Sequence, residues 1–410
     1  MDWIACVGVD WSDQKHDYAL RGRDGELEQG KFPSGPAEVH AWVARLRAQY
    51  PTGTIVVALE QSRGPLLYAL SMYDFVALVP INPRAATAYR ESLHLSGAKD
   101  DPVDAALIRD FAAAHLDKLR VWKADDALTR RLRLLAEFRR KLVDHRTGLT
   151  QAFTDAVKQY FPQILEWFSN GVLARAFLSE WPTLEQAQNV SDQSIRTLVR
   201  SCSRKSQAKI DELIVKIRAA VPLMSDQAII AAMVIRIRSL IALIEELDEQ
   251  VRAHDQAIAQ AWIEHVDQKL FDSFPGAGPV LAPRLAAAFG SDRTRFEDAS
   301  EMHNYSGTSP VTERSGKRCW VHARWQRPKF LHQTFHEFAE ASIPHCAWAR
   351  AFYQRQRQRG AGHRAAIRAL AYRWIRVLFR CWKTNTPYDE ATHIESLRRR
   401  GSPLVDCLAA

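Results

Sequence analysis

Four acidic residues, Asp10, Glu60, Asp101 and Asp104, sit where a folded chain could bring them together around divalent metal. Phosphodiester cleavage assisted by metal needs carboxylate oxygens converging from separate elements. Hard cations prefer oxygen ligands, and they share the charge of the attacking and leaving groups. Asp10 ends the run Val7-Gly8-Val9-Asp10, where Gly8 has no side chain to block a site. Glu60 ends the run Val56-Val57-Ala58-Leu59-Glu60, so neighbouring strands would deliver both acids to one edge. Pro102 suits the first helical position, making Asp101 the N-cap and Asp104 the third helical residue, on one face. Each acid has an ordinary use by itself, as turn former, solvent exit or helix cap. Their coincidence at two strand ends and one helix start is what points to divalent metal. Asp100, one residue out of register, is the rival to Asp101.

A second place for chemistry is Glu313-Arg314-Ser315-Gly316-Lys317-Arg318. A serine hydroxyl can attack a phosphodiester and conserve the bond energy in a phosphoserine link. It needs a nearby cation to stabilise the developing charge, and Arg314, Lys317 and Arg318 are at hand. Glu313 could orient the hydroxyl or accept its proton. The residues alone leave three readings open: a phosphate-binding loop, a surface turn, or a nucleophile.

The elements that must position these groups follow from apolar patterning. Ile4–Val9 reads as a strand, and two alternating stretches around Asp17–Arg21 and Glu26–Phe32 complete a three-stranded meander. A helix near Pro36–Gln49 precedes the buried strand Thr54–Leu59. A helix at Pro65–Tyr73 and a strand at Phe75–Val79 follow, and a last helix begins near Asp101. The order βββαβαβα is that of an RNase H-like α/β domain over residues 1–122.

Residues 123–265 read as a helical linker and dimerisation region. Ile230, Ile237, Ile244, Val251 and Ile258 share one heptad position, and Met233, Leu240, Leu247, His254 and Ala261 share the other. Such a seam suits a two-stranded coiled coil between subunits, or a long helix packed on Leu128–Val143 of the same chain. Residues 161–226 read as an irregular helical insertion without an assigned role.

Residues 266–410 read as a mainly α-helical third domain. It opens at Pro275-Gly276-Ala277-Gly278-Pro279, a helix-hairpin-helix-like turn in which Gly276 and Gly278 could let backbone N–H groups approach a DNA phosphate. Tyr305–Arg318 reads as loop, and Pro328–His345 and Ala349–Trp382 as helices. Arg355, Arg357, Arg359, Arg364 and Arg368 form a basic run suited to nucleic-acid backbone, followed by Arg373, Arg376 and Arg380. Trp374 and Trp382 suit core packing better than base stacking. An earlier cluster, Arg130, Arg131, Arg133, Arg139, Arg140 and Lys141, suits either RNA or solvent.

Charge agrees with that division. The chain has net charge +9, and from Val266 onward 23 Lys/Arg stand against 13 Asp/Glu, while the remainder has 33 against 34. The excess is concentrated in the C-terminal third and is rich in Arg, which suits phosphate. Six scattered cysteines form no CxxC pair, arguing against a zinc site or disulfide framework and for reduced thiols in a cytoplasm. The N-terminus lacks the pattern of a signal peptide, and no uncharged apolar stretch spans a bilayer, so no membrane is expected.

Taken together, Val7-Gly8-Val9-Asp10, Leu59-Glu60, Lys99-Asp100-Asp101-Pro102-Val103-Asp104-Ala105, Pro275–Pro279, Tyr305-Ser306-Gly307 and Ser315-Gly316 resemble the DEDD transposases of IS110 insertion sequences, the bridge-RNA-guided recombinases. The likeness runs from near the N-terminus to about Tyr388 and is weakest over residues 161–226. It implies a RuvC-like domain, a coiled-coil linker and a transposase domain bearing a catalytic serine. It also implies Mg²⁺ on Asp10, Glu60, Asp101 and Asp104, and Ser315 as nucleophile. The expected partners are donor and target DNA, a noncoding bridge RNA, and further copies forming a dimer and then a tetramer with composite sites. Two departures stand out. Lys99-Asp100-Asp101 replaces the usual Lys-Thr-Asp, and Gly307-Thr308-Ser309-Pro310 replaces Gly-Leu-Ala-Pro, which makes Ser309 a rival nucleophile. Two other functions compete with transposition: a RuvC-like junction nuclease using water, and a non-catalytic nucleic-acid-binding protein.

Overall fold

The computed structural model describes residues 3–60, 64–93, 101–168, 171–316, 318–322, 324 and 327–405, with Asp101 described by its backbone only. Contacts divide the chain into two compact units, Met1–Asp125 and Asp126–Ala410.

The first unit is built on a five-stranded sheet of order β3-β2-β1-β4-β5. Strands β1 (Trp3–Trp11), β2 (Lys15–Gly22) and β3 (Leu27–Pro33) form an antiparallel meander, while β4 (Thr54–Leu59) and β5 (Val76–Pro80) run parallel to β1. The continuous apolar runs of β1 and β4 occupy the sheet centre, where both faces are covered and alternation has no use. Odd-numbered Ala5, Val7 and Val9 meet the core of helices α1 (Pro36–Gln49) and α2 (Pro65–Leu70). Cys6, Val56 and Ala58 face the other way, with Ala86 of α3 (Pro83–Leu93) and Ile108 and Ala112 of α4 (Asp101–His115). The sequence reading missed α3, because Pro80-Ile81-Asn82-Pro83 reads as a turn and the following segment has only Ala86 buried.

Gly8 fixes how α4 lies on this sheet. A Cβ at Gly8 would stand 2.2 Å from the Ala105 carbonyl oxygen and 2.3 Å from the Arg109 nitrogen. Gly8 therefore admits the backbone of α4.

In the second unit, α5 (Ala127–Tyr160) and α11 (Gln227–Ile263) pack as long antiparallel partners, tied by Arg139–Asp255 at 2.5 Å and Arg146–Asp248 at 2.8 Å. The heptad seam is real, but α5 of the same chain fills it: Ile237, Ile244, Val251 and Ile258 are all buried. Of the two pairings the seam allowed, the one within the chain is present, on α5. By length and composition α11 is apolar enough to cross a membrane, an exception to the expectation that no such stretch exists. Within it Ile237, Ile241 and Ile244 are buried, while Ile229, Ile235 and Leu243 are exposed.

Helices α6 (Gln163–Trp167), α7 (Gly171–Glu180), α8 (Leu184–Asn189), α9 (Asp192–Cys202) and α10 (Gln207–Ala219) share a core with Phe153, Val157, Ile237 and Ile244. The segment called irregular is therefore a helical cap on one end of the α5/α11 pair. The remaining core gathers α12 (Gln268–Asp272), α13 (Gly278–Phe289), α14 (Ala299–Ser306), α15 (Lys329–Ser342), α16 (Ala347–Gln358), α17 (His363–Thr384) and α18 (Glu390–Arg399) around Trp348, Trp374 and Trp382, each fully buried. Trp374 donates to Ser342 Oγ at 2.8 Å and Trp382 to the Gly290 carbonyl at 3.0 Å, as core indoles require. Where a loop was expected, β6 (Val311–Ser315) and β7 (Arg318–His322) form a hairpin.

Candidate active site

Strand register brings two of the four acids side by side. Val9 pairs with Leu59 across the parallel β1/β4 ladder, so Asp10 and Glu60 leave adjacent strand ends together. Pleat alternation puts Gly8 and Asp10 on the face covered by α4, and Ala58 and Glu60 on the same face. Asp104 lies one residue before Ala105, the residue that crosses β1 at Gly8, and its side chain is buried. Asp10, Glu60 and Asp104 therefore share one face at one end of the sheet. The helix holding Asp104 starts at Asp101, one residue before the start at Pro102 expected from sequence. The Asp101 side chain and Asp100 lie outside the described residues.

Two neighbours were not foreseen. Asp17 of β2 pairs directly with Asp10, is buried, and is 3.2 Å from Lys15 Nζ. Arg90 of α3 places its guanidinium 2.5 Å from Asp104 Oδ1. That contact is close but poorly aligned, and Oδ1 is a buried atom without a well-directed hydrogen bond. Arg90 already supplies a cation to that oxygen, and the all-oxygen donor set of Asp10, Glu60 and Asp104 suits a hard divalent ion. Among the described residues no three ligating groups stand close enough to form a metal site, with Arg90 supplying the positive charge at Asp104.

Ser315 occupies the tip of the β6/β7 ribbon. It pairs with Arg318, with Gly316 in the turn at φ +57°, where a glycine is favoured; Lys317 lies outside the described residues. Alternation gives Val311, Glu313, Ser315, Arg318, Trp320 and His322 one face of the ribbon, and Thr312, Arg314, Cys319 and Val321 the other. Arg318 is thus the cation beside Ser315, whereas Arg314 points away from it. Glu313 is on the serine's face, 3.5 Å from His322. Trp320 is 49% and Val321 65% exposed, large apolar groups on a two-stranded ribbon that is marginal without a partner. Ser309, the rival nucleophile, is half-buried, and its N–H donates to the His303 carbonyl at 3.2 Å.

The glycine turn divides. Gly276, at φ +80°, has no room for a Cβ, which would come 2.4 Å from the Ala341 carbonyl oxygen. Its close approach is to α15 and leaves no need for a phosphate to explain it. Gly278 is exposed at the start of α13, with open space around it. Among the basic residues, Arg357, Arg359 and Arg364 are exposed, and Arg355 and Arg368 half-buried. The earlier cluster is largely used internally: Arg133 meets Glu137, Arg139 meets Asp255, and Arg140 meets Asp144 and Glu337.

Comparison with known proteins gives these sites a setting. A family model for DEDD transposases of IS110 type matches residues 7–162, and one described as transposase IS116/IS110/IS902 family matches residues 268–354. Asp10, Glu60, Asp101 and Asp104 fall in the first, and Ser315 in the second. The mini-circle putative transposase for IS117 of Streptomyces coelicolor is 29% identical over 98% of both chains. The IS110 43.6 kDa protein of the same organism is 24% identical over 91% of this chain and 92% of its own. The IS900 42 kDa protein of Mycobacterium paratuberculosis is 25% identical over 94% and 97%. An α/β unit with acids at the ends of its central strands, joined to a helical basic unit, is here a transposase architecture. The chain belongs to the IS110 family of insertion-sequence transposases.

Proposed function

We propose that this protein cuts and rejoins DNA through a covalent phosphoserine intermediate on Ser315, with Asp10, Glu60, Asp101 and Asp104 of an RNase H-like, RuvC-type domain holding Mg²⁺ or Mn²⁺. The observation that carries the acidic half is the register that sets Asp10 beside Glu60 on the face where α4 presents Asp104. The serine half is supported by a hydroxyl at the tip of an exposed ribbon, with a guanidinium directly across from it.

In the proposed step the Ser315 oxygen attacks the scissile phosphorus, its proton passes to Glu313, and one P–O bond forms as another breaks. Glu313 passes that proton to the departing strand oxygen, which leaves as a hydroxyl end. A strand-end hydroxyl then attacks the phosphorus and gives its proton to Glu313, and the serine oxygen leaves and takes that proton. Arg318 stabilises the charge on the phosphoryl oxygens. A bound divalent ion supplies further charge neutralisation and orients the phosphate. Lys317, Arg314, Gly278 and the arginines of α16 and α17 hold nucleic-acid backbone. A noncoding bridge RNA that pairs with donor and target DNA supplies sequence choice, and copies assemble as dimers and then a tetramer.

The test is to incubate the full chain, Mg²⁺ and the element's noncoding RNA with labelled DNA carrying an element end, and to look for DNA bound covalently to protein. The wild type should form the adduct, and Ser315→Ala and Asp10→Ala should not. An adduct that survives Ser315→Ala removes the serine from the mechanism. Cleavage by wild type and Ser315→Ala alike, without an adduct, would favour hydrolysis by water.

A further inference from the structure

A cleft of about 1050 Å³ opens in the second unit between the hairpin base, α16, α17 and α18. Its size is at the top of the ordinary range of about 300–1000 Å³ for small-molecule pockets, which leaves room for a chain segment. Among the described residues, seven arginines line it against one acid, Asp389. That acid accepts from the Thr392 N–H at 2.7 Å as the cap of α18, so its charge already serves a helix start. Among the described residues none of the seven arginines has a carboxylate within 4.0 Å, unlike Arg139, Arg140 and Arg284 elsewhere in the unit. The field left by this imbalance is visible on its neighbours. His393 is pushed down to about 4 by burial and by Arg400 and Arg373. Arg327 is lowered by burial and by Arg368.

The arrangement is ordered as well as charged. Arg368, Tyr372, Arg376 and Arg380 follow one another at four-residue steps on α17 and all line the cleft. At about 1.5 Å per residue each step is about 6 Å, so the stripe presents three cations and one aromatic ring along one side of a groove. Tyr372 is held stiffly: its ring lies parallel to His303 at 3.7 Å between centroids and 6° between planes. His303 is itself fixed, with Nε2 2.8 Å from the Tyr372 carbonyl oxygen. Tyr372 is still 37% exposed. Val321 and His322, at the base of the ribbon whose tip is Ser315, line the same cleft.

We infer that this cleft binds a short single-stranded segment of nucleic acid, with a base stacked on Tyr372 and flanking phosphates on Arg368, Arg376 and Arg380. A positively charged groove with an aromatic platform is the chemistry by which unpaired strands are held, since every base has a stacking face and every linkage a charge. A duplex keeps its bases paired and cannot reach Tyr372. The assignment rests on the proposed cutting and rejoining, because a strand crossing Ser315 continues along the ribbon toward its base. It accounts for why the arginines are left without carboxylates.

The experiment is fluorescence anisotropy on the full-length protein with labelled DNA and RNA decamers, the matching DNA duplex, and a DNA decamer carrying abasic sites. The base-bearing single strands should bind more tightly than the duplex and the abasic strand. Tyr372→Ala should weaken binding of the base-bearing strand on the order of tenfold and leave the abasic strand unchanged, with Tyr372→Phe restoring wild-type affinity. Arg376→Ala should reduce the slope of log affinity against log salt by about 0.7, the loss of one phosphate contact on a single strand. Tighter DNA assigns the cleft to the substrate strand, and tighter RNA to the guide. Equal loss on base-bearing and abasic strands in Tyr372→Ala, or duplex binding as tight as single-strand binding, would overturn the inference. Binding requires no cleavage, so the cleft can fail while the Ser315 adduct stands, and the adduct can fail while the cleft stands.

Discussion

Arg90 and Asp104 hold opposite charges 2.5 Å apart, and the carboxylate is 4% exposed while the guanidinium is 21% exposed. On the proposed metal assignment, a divalent ion must compete with Arg90 for the same oxygen, and that competition weakens apparent affinity. Arg90→Ala is expected to tighten Mn²⁺ binding by about tenfold, read by electron paramagnetic resonance of free Mn²⁺ during titration, because one displaced contact is worth about 1.4 kcal/mol. Unchanged or weaker Mn²⁺ binding in the folded variant contradicts the competition. Asp10 and Glu60 were legible from sequence because apolar runs fix where strands end. Arg90 was not, since its partner depends on how α3 and α4 lie together and nothing local marks it. Arg314 and Arg318 looked equivalent around Ser315 until hairpin register put only Arg318 on the serine's face.

At the level of elements, the close crossing of α4 over β1 is what places Asp104 beside the strand ends. Gly8→Val should destabilise the first unit by about 3 kcal/mol or more, because its Cβ meets backbone atoms that cannot rotate away. Thermal unfolding of the full chain checks this, and an unchanged midpoint would contradict the packing described. Strands β1 to β5 and α4 were readable from apolar runs and the Pro102 signal. The hairpin was not, since Val311–His322 is polar, exposed and too short to alternate convincingly. The heptad seam was readable in α11, but a seam does not say whose helix fills it. Here Arg139–Asp255 and Arg146–Asp248 show α5 doing so in the same chain.

Across the whole molecule, buried histidines couple folding to pH. Burial and nearby cations push His332 down to about 3 and His393 to about 4, and burial first lowers His265, His303 and His336 as well. Unfolded, each returns to about 6.5 and binds a proton that the folded state refuses. Stability from this source is therefore present above about pH 6.5 and is lost as pH falls toward 4 and 3. Urea midpoints should fall steadily between pH 7 and pH 5, and His332→Gln should flatten that slope; a midpoint independent of pH over this window contradicts it. The charge division seen in the sequence, with its excess beyond Val266, resolves into a particular cleft only once α17 is folded and lines it with Arg368, Arg373, Arg376 and Arg380.

The most direct test of the central claim is to trap the protein–DNA adduct, digest it with protease and nuclease, and locate the nucleotide-bearing residue by mass spectrometry. The account predicts phosphodiester-linked nucleotide on Ser315. Nucleotide on Ser309, or on any other residue, would contradict it.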